Sequence, residues 1–199
     1  VMETRKLSVI ADTQCGLVLN RKEARATEAA KKHYKRLNLR SLKEDGHLNM
    51  NELDDYDSVE RLDEQILTRP NDIIIRLFAP PSPILIQGNE AGLVIPSQLA
   101  VIRMKDGAPV LSGYLRWYLS SSVASNKLLL AESCQIQRSI KIGALSSLPV
   151  PIPSLAKQQL IVQVYETGVR RENLYKELIE QEKFYMNGLL QKTIGGTAE

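Results

Sequence analysis

Pro149, Pro151 and Pro153 occupy alternate positions in the run SLPVPIPSLAKQQLI, residues 147–161. In an extended chain, alternate residues point their N–H groups to the same side, and proline has no N–H. One edge of this segment therefore offers no donor, while Val150 and Ile152 keep theirs on the other edge. Such a strand pairs on one side only, which suits an edge closed to further strands. The fixed φ of proline also makes it stiff. The segment reads as a rigid seam between two structural units; the alternative is an ordinary proline-rich loop.

After the seam the texture changes. Residues 154–194 contain no proline, and their only glycines are Gly168 and Gly188. Leu160, Val164, Leu174, Leu178 and Tyr185 fall at a- and d-type positions of an imperfect heptad, with gaps at Thr167, Arg171 and Gln181. The pattern predicts one helix, and at ~1.5 Å per residue a rod roughly 50 Å long. A lone helix of that length cannot hide its stripe and needs another alongside. No other segment is long enough, so the partner helix is expected from a second chain, through residues 158–192.

Upstream, short strands are predicted at 73–75, 84–86, 93–95 and 99–104, separated by turn residues and by Pro80, Pro81 and Pro83. Leu111, Tyr114, Leu115, Tyr118 and Leu119 form one apolar helical stripe, with Arg116 and Trp117 off it. A second short helix follows within 120–133, then strand or turn near 134–145. The opening is strand-like. Residues 22–42 mix helical and loop character and lead into a strand near 34–39; 44–62 is polar and turn-rich. These features give an α+β fold, with a globular mixed α/β domain over 1–153 and one long helix with a tail over 154–199.

Charge is unevenly spread. Nine Lys or Arg against two Glu over 21–43 give +7, and nine acids against Arg61 over 44–64 give −8. A basic block of this kind is a footprint for nucleic acid; the competing reading, favoured by charge alone, is two solvated surfaces that attract each other. The rest narrows by exclusion. No apolar run approaches the ~18 residues that cross a bilayer, and no signal peptide is visible. Cys15 and Cys134 lack CxxC-type spacing and read as reduced thiols of a cytoplasmic protein. His33 and His47 have no partners for a zinc site. There is no phosphate-binding glycine loop and no nucleophile elbow. The run APPSP at 79–83 lacks the Asn and aromatic of an amino-methyltransferase motif. No catalysis is expected of this chain.

With the order of its parts in view, SSLPVPIPSLAKQQLIVQV followed by a long helix resembles the end of a target-recognition domain in specificity subunits of type I restriction-modification systems. LTRPNDIIIR resembles that family's strand after an Asn-Asp turn, GLVIPSQLAVIRM with GYLRWYLSS its strand–helix pair, and RKLSVIADTQCG its opening. The resemblance covers nearly the whole chain, least at 22–64. Two departures stand out. Lys157 takes the place of an acidic residue before Gln158, so no capping box is available and the helix dipole disfavours the charge. The chain also holds one recognition domain and one long helix where family members usually carry two of each.

The resemblance implies a non-catalytic subunit that reads DNA and docks methyltransferase and restriction subunits, with S-adenosylmethionine bound by the partner methyltransferase. It implies that the seam closes the recognition domain at 153 and that the helix acts as a spacer. A homodimer through Leu160, Val164, Leu174, Leu178 and Tyr185 would then read a bipartite, inverted-repeat site. Arg21, Lys22, Arg25, Lys31, Lys32, Lys35 and Arg36 are the candidate phosphate contacts, and Arg76, Gln137 and Arg138 the candidate base readers. Two other readings stay open: a stand-alone coiled-coil-dimerised DNA-binding regulator or adaptor, and a fragment of a two-domain subunit.

Overall fold

A computed structural model of the chain describes residues 3–19, 23, 32–43, 45–78, 81–130 and 139–195. By internal contacts the chain forms two compact units, Val1–Ile161 and Val162–Glu199. The first contains every strand. Among the described residues, no helix is long and apolar enough to cross a membrane.

The first unit opens with strand β1 (Glu3–Lys6), a single helical turn α1 (Leu7–Ile10) and strand β2 (Ala11–Cys15). The sequence of α1 is β-branched in part and reads as strand. It turns because Leu7 N–H donates to Leu148 O at 2.9 Å, leaving the ladder, and because Leu7 and Ile10, three residues apart, are both buried. Further on come β3 (Lys32–Arg36), β4 (Asp54–Ser58), β5 (Ile73–Arg76), β6 (Ile84–Leu85) and β7 (Leu99–Met104). A four-stranded antiparallel sheet runs β2-β7-β5-β6. Its inner strands bury Ile73, Ile74 and Ile75 and all of 99–102, as expected for strands covered on both faces. Ile74, Ile84, Ile86, Ile95 and Val101 share a core with Leu37 and Leu42. The predicted strand at 93–95 is buried, but it joins its neighbours through isolated bridges, Val94 to Arg36 and to Leu67.

The turn before β5 follows the sequence closely. Asn71 takes a positive φ of 68°, which Asn tolerates better than most residues. Asp72 is buried, and its Oδ2 accepts from Arg69 N–H at 2.8 Å. Its two oxygens then receive Arg103 Nε at 2.8 Å and Nη2 at 2.6 Å, a bidentate pair.

Helix α2 (Ser112–Ser120) buries Tyr114, Leu115, Tyr118 and Leu119 of the predicted stripe, while Leu111 caps its start and is half-buried. Arg116 was expected off that stripe and is nevertheless buried. Its Nη2 donates to Gly46 O at 3.1 Å, and Gly46 has φ +78°. That left-handed φ favours glycine, and a Cβ there would also crowd the Arg116 guanidinium. Helix α3 (Ser122–Leu130) follows, and then α4 (Ile142–Ser147), where strand or turn was expected. Leu145 of α4 is fully buried, and the helix packs on β2 and α1.

The seam is strand β8 (Pro149–Ile152), paired antiparallel with β1 alone. Val150 lies opposite Arg5 and Ile152 opposite Glu3. The proline edge has no donors, and its carbonyls are met from elsewhere. Tyr118 OH donates to Pro149 O at 2.7 Å, Tyr114 OH to Pro151 O at 2.8 Å, and Gln158 Nε2 to Pro153 O at 3.0 Å. Burial, with Tyr118 adding, pushes the Tyr114 hydroxyl above its ordinary value, which keeps it a donor. The segment is thus an edge strand held on both sides.

Helix α5 (Leu155–Gly195) begins within the first unit. Gln158 is 1% exposed. It accepts from Leu111 N–H at 2.8 Å and donates to Pro109 O at 2.8 Å as well as to Pro153 O. One side-chain amide thereby joins the loop before α2, the end of the proline strand and the first turn of α5.

Candidate functional site

The basic block and the acidic block meet as neighbouring strands. Antiparallel register sets Arg36 opposite Asp54, Lys35 opposite Asp55 and His33 opposite Asp57. Their side chains touch: Lys35 Nζ to Asp55 at 2.6 Å, His33 Nδ1 to Asp57 at 2.5 Å, Arg36 to Asp54 at 3.3 Å. Beyond the strands, Arg40 reaches Asp54 at 3.5 Å and Lys43 reaches Glu52 at 2.9 Å. Opposite charges across a sheet contribute about 0.2–1 kcal/mol per pair, and less when exposed. The pairs do more for register than for stability, and they neutralise most of the described cations here. Lys32 lies opposite Ser58, is exposed, and has no ion pair among the described residues. Arg21, Lys22, Arg25 and Lys31 lie outside the described residues.

Of the three expected base readers, Gln137 and Arg138 also lie outside the described residues. Arg76, at the end of β5, donates through Nη2 to Leu39 O at 2.9 Å and to Leu42 O at 2.6 Å. Its guanidinium supports the 39–42 loop from beneath. Reaching a base would cost both bonds.

Nothing in the described residues gathers into a reacting group. No three His, Cys, Asp or Glu side chains among them are placed to hold a metal ion. Among the described residues, His47 has one acidic partner, Asp45 at 3.3 Å. Cys15 donates to Ser97 O at 3.0 Å, and burial pushes its thiol above the ordinary value, away from the reactive thiolate.

Helix α5, which begins in the first unit and makes up the second, carries an exposed apolar face. Leu160, Val164, Leu174, Leu178 and Tyr185, the predicted stripe, are each exposed in the single chain. Beside them runs a second stripe that the heptad reading missed: Tyr175, Ile179, Met186 and Leu190. At 3.6 residues per turn, the two stripes together cover an arc of roughly 160° over 174–190. A two-helix seam needs a narrower band of a and d positions. The signal for the second stripe lay in the sequence at i+1 from the first.

No family model and no curated protein sequence matches this chain. Solved structures do. An HsdS subunit from Thermoanaerobacter tengcongensis superposes with a TM-score of 0.68 at 14% identity, over 100% of this chain and 51% of that one. A chain of a type I R-M system, solved for its complex assembly and conformational transition, gives 0.64 at 17% identity over 94% and 43%. A type I restriction-modification S subunit from M. genitalium gives 0.56 at 14% identity over 96% and 45%. The chain therefore has the α+β fold of these proteins, long terminal helix included, and spans about half the length of the structures it matches.

Proposed function

We propose that this chain is a sequence-reading specificity subunit of a type I restriction-modification system, without catalysis of its own. The observation that supports this best is the match of nearly every residue to S-subunit folds that share only 14–17% identity with it. In this reading the globular unit contacts DNA in the cytoplasm, while methyltransferase and restriction subunits carry the chemistry. S-adenosylmethionine binds the methyltransferase.

The finer reading concerns α5. Two copies joined along Leu160, Val164, Leu174, Leu178 and Tyr185 would carry two recognition units and read an inverted-repeat, bipartite site. The second stripe, Tyr175 to Leu190, is left open by such a pair and suits docking of a methyltransferase helix. Phosphate contact is proposed for the basic block at 21–36, in which Lys32 has no ion pair among the described residues. Base contact is proposed for Gln137 and Arg138; Arg76 joins them only if it releases the 39–42 loop.

Co-expression with the cognate methyltransferase subunit tests the proposal. The two should co-purify and methylate DNA at one sequence only, whereas the chain alone, given DNA and labelled S-adenosylmethionine, should transfer nothing. Transfer by the isolated chain refutes the non-catalytic role, and binding to DNA with no methyltransferase association favours a stand-alone regulator.

A further inference from the structure

A polar cleft of about 330 Å³ opens over β2 and β7 in the first unit. Register builds its floor. Asp12 lies opposite Arg103 and Gln14 opposite Val101, and residues two apart on a strand share a face. Gln65 and Arg69, from the segment leading to the Asn71 turn, form its wall.

The wall is tied to the floor. Asp72 holds Arg69 N–H and both Nε and Nη2 of Arg103, and the same Nη2 reaches Leu67 O at 3.1 Å. The Gln14 side chain donates to Gln65 O. A recognition site gains from such support, because its side chains start from a fixed frame.

Hydrogen-bonding capacity is left over inside this frame. The Gln65 side-chain amide has no partner among the described residues. Arg69 has one long ion pair, 3.8 Å to Glu64, and Asp12 one, 3.5 Å to Lys105. The side chains of Gln65, Arg69 and Asp12 are all exposed. The cations of β3 differ, since register already pairs most of them. An amide, a guanidinium and a carboxylate on one rigid cleft are also the three groups that match base edges in the major groove. Gln pairs with the N6/N7 edge of adenine, Arg with O6/N7 of guanine, and Asp accepts from N4 of cytosine.

We infer that this cleft reads base edges of duplex DNA, with Gln65 and Arg69 as specificity-determining residues, Asp12 beside them, and Asp72 and Arg103 as positioning residues. This rests on the proposal that the chain recognises DNA. The test selects bound duplexes from a randomised library with the full chain at fixed salt, then sequences them. Wild type should enrich one motif. Arg69→Ala should lose preference at a guanine of that motif, and Gln65→Ala at another position, each by roughly 5- to 150-fold, with the salt slope unchanged. Arg69→Lys should restore overall affinity and leave that guanine preference low, since lysine lacks the planar fork. Both side chains are exposed, so the variants should melt as wild type does. An unchanged motif in both alanine variants overturns the inference. So does a uniform loss of affinity with a flatter salt slope, which marks phosphate contact only. A wild-type chain that enriches no motif overturns the DNA-recognition reading together with this one.

Discussion

Removing the Gln158 side chain should loosen the junction between the proline strand and the start of α5. In Gln158→Ala, three hydrogen bonds of 2.8, 2.8 and 3.0 Å vanish from a site that is 1% exposed. Each is worth about 1 kcal/mol net, and a buried donor left without a partner costs about 1–3 kcal/mol. Leu111 N–H is such a donor. The two carbonyls tolerate the loss better, because a carbonyl without a partner is the less costly orphan. The expected destabilisation is about 3 kcal/mol, or a fall of roughly 6–12 °C in melting temperature for a domain of this size. The single tryptophan, Trp117, sits in α2 beside this junction and reports the transition by fluorescence.

The isosteric change Gln158→Glu refines the test. One carboxyl oxygen can still accept from Leu111 N–H, but the other would face Pro109 O and Pro153 O with no hydrogen between them. Burial and these oxygens favour the protonated acid, so its pKa in the fold is raised above the unfolded value of about 4.3. The native state then holds more protons than the unfolded one, and stability falls as pH rises. The deficit should be small below about pH 4.3 and complete above the raised folded pKa. Melts of wild type, Gln158→Ala and Gln158→Glu at pH 5 and pH 8 check this. If Gln158→Ala melts with wild type, or if the Glu variant's deficit ignores pH, the hydrogen bonds do not hold the junction.

Three further outcomes are expected. Light scattering at micromolar concentration should give about twice 22.3 kDa, and Leu174→Asp with Leu178→Asp should give the monomer while the Trp117 melt stays where it was; a wild-type monomer that also fails to dimerise in the presence of a methyltransferase subunit removes the dimer. Asp72→Asn should cost roughly 3 kcal/mol, because Arg103 keeps its charge and loses a bidentate partner, and a melting temperature unchanged from wild type would deny that pair its role. Lys31→Ala with Lys32→Ala should weaken binding to all DNA alike and reduce the log–log salt slope by roughly one for each phosphate no longer neutralised; Lys35→Ala, already paired to Asp55, should do less, and unchanged affinity and slope in the double variant remove the phosphate role.

Much of the fold was legible because it is written locally. The run at 73–75 is all isoleucine, that at 99–102 is apolar throughout, and the α2 stripe repeats at helical spacing. The alternating prolines state their own pairing. What escaped was fixed by distant partners. Strand β4 reads DDYDS, a poor strand sequence by propensity; it is a strand because β3 lies beside it with the opposite charges. Helix α4 reads as strand or turn until Leu145 is seen packed on β2 and α1. Arg116 looked exposed because the turn it meets, at Gly46, is seventy residues away in sequence.

The candidate site was less legible for the same reason, sharpened by charge. A sequence counts cations; it does not say which of them have partners. A +7 block beside a −8 block is compatible with a DNA surface and with a self-neutralising hairpin, and only register separates them. At one residue's offset, Lys35 would lie opposite Asp54 or Tyr56, and the alternation of pairs along β3 and β4 would be lost. In the observed register His33, Lys35 and Arg36 of β3 each meet an aspartate. Polar groups left open by the fold are therefore a better guide to recognition than charge density. By that criterion, among the described residues, the β2–β7 cleft gathers several open groups, Gln65 first among them, and α5 carries an uncovered double apolar stripe. Neither coincides with the basic block that dominates the sequence.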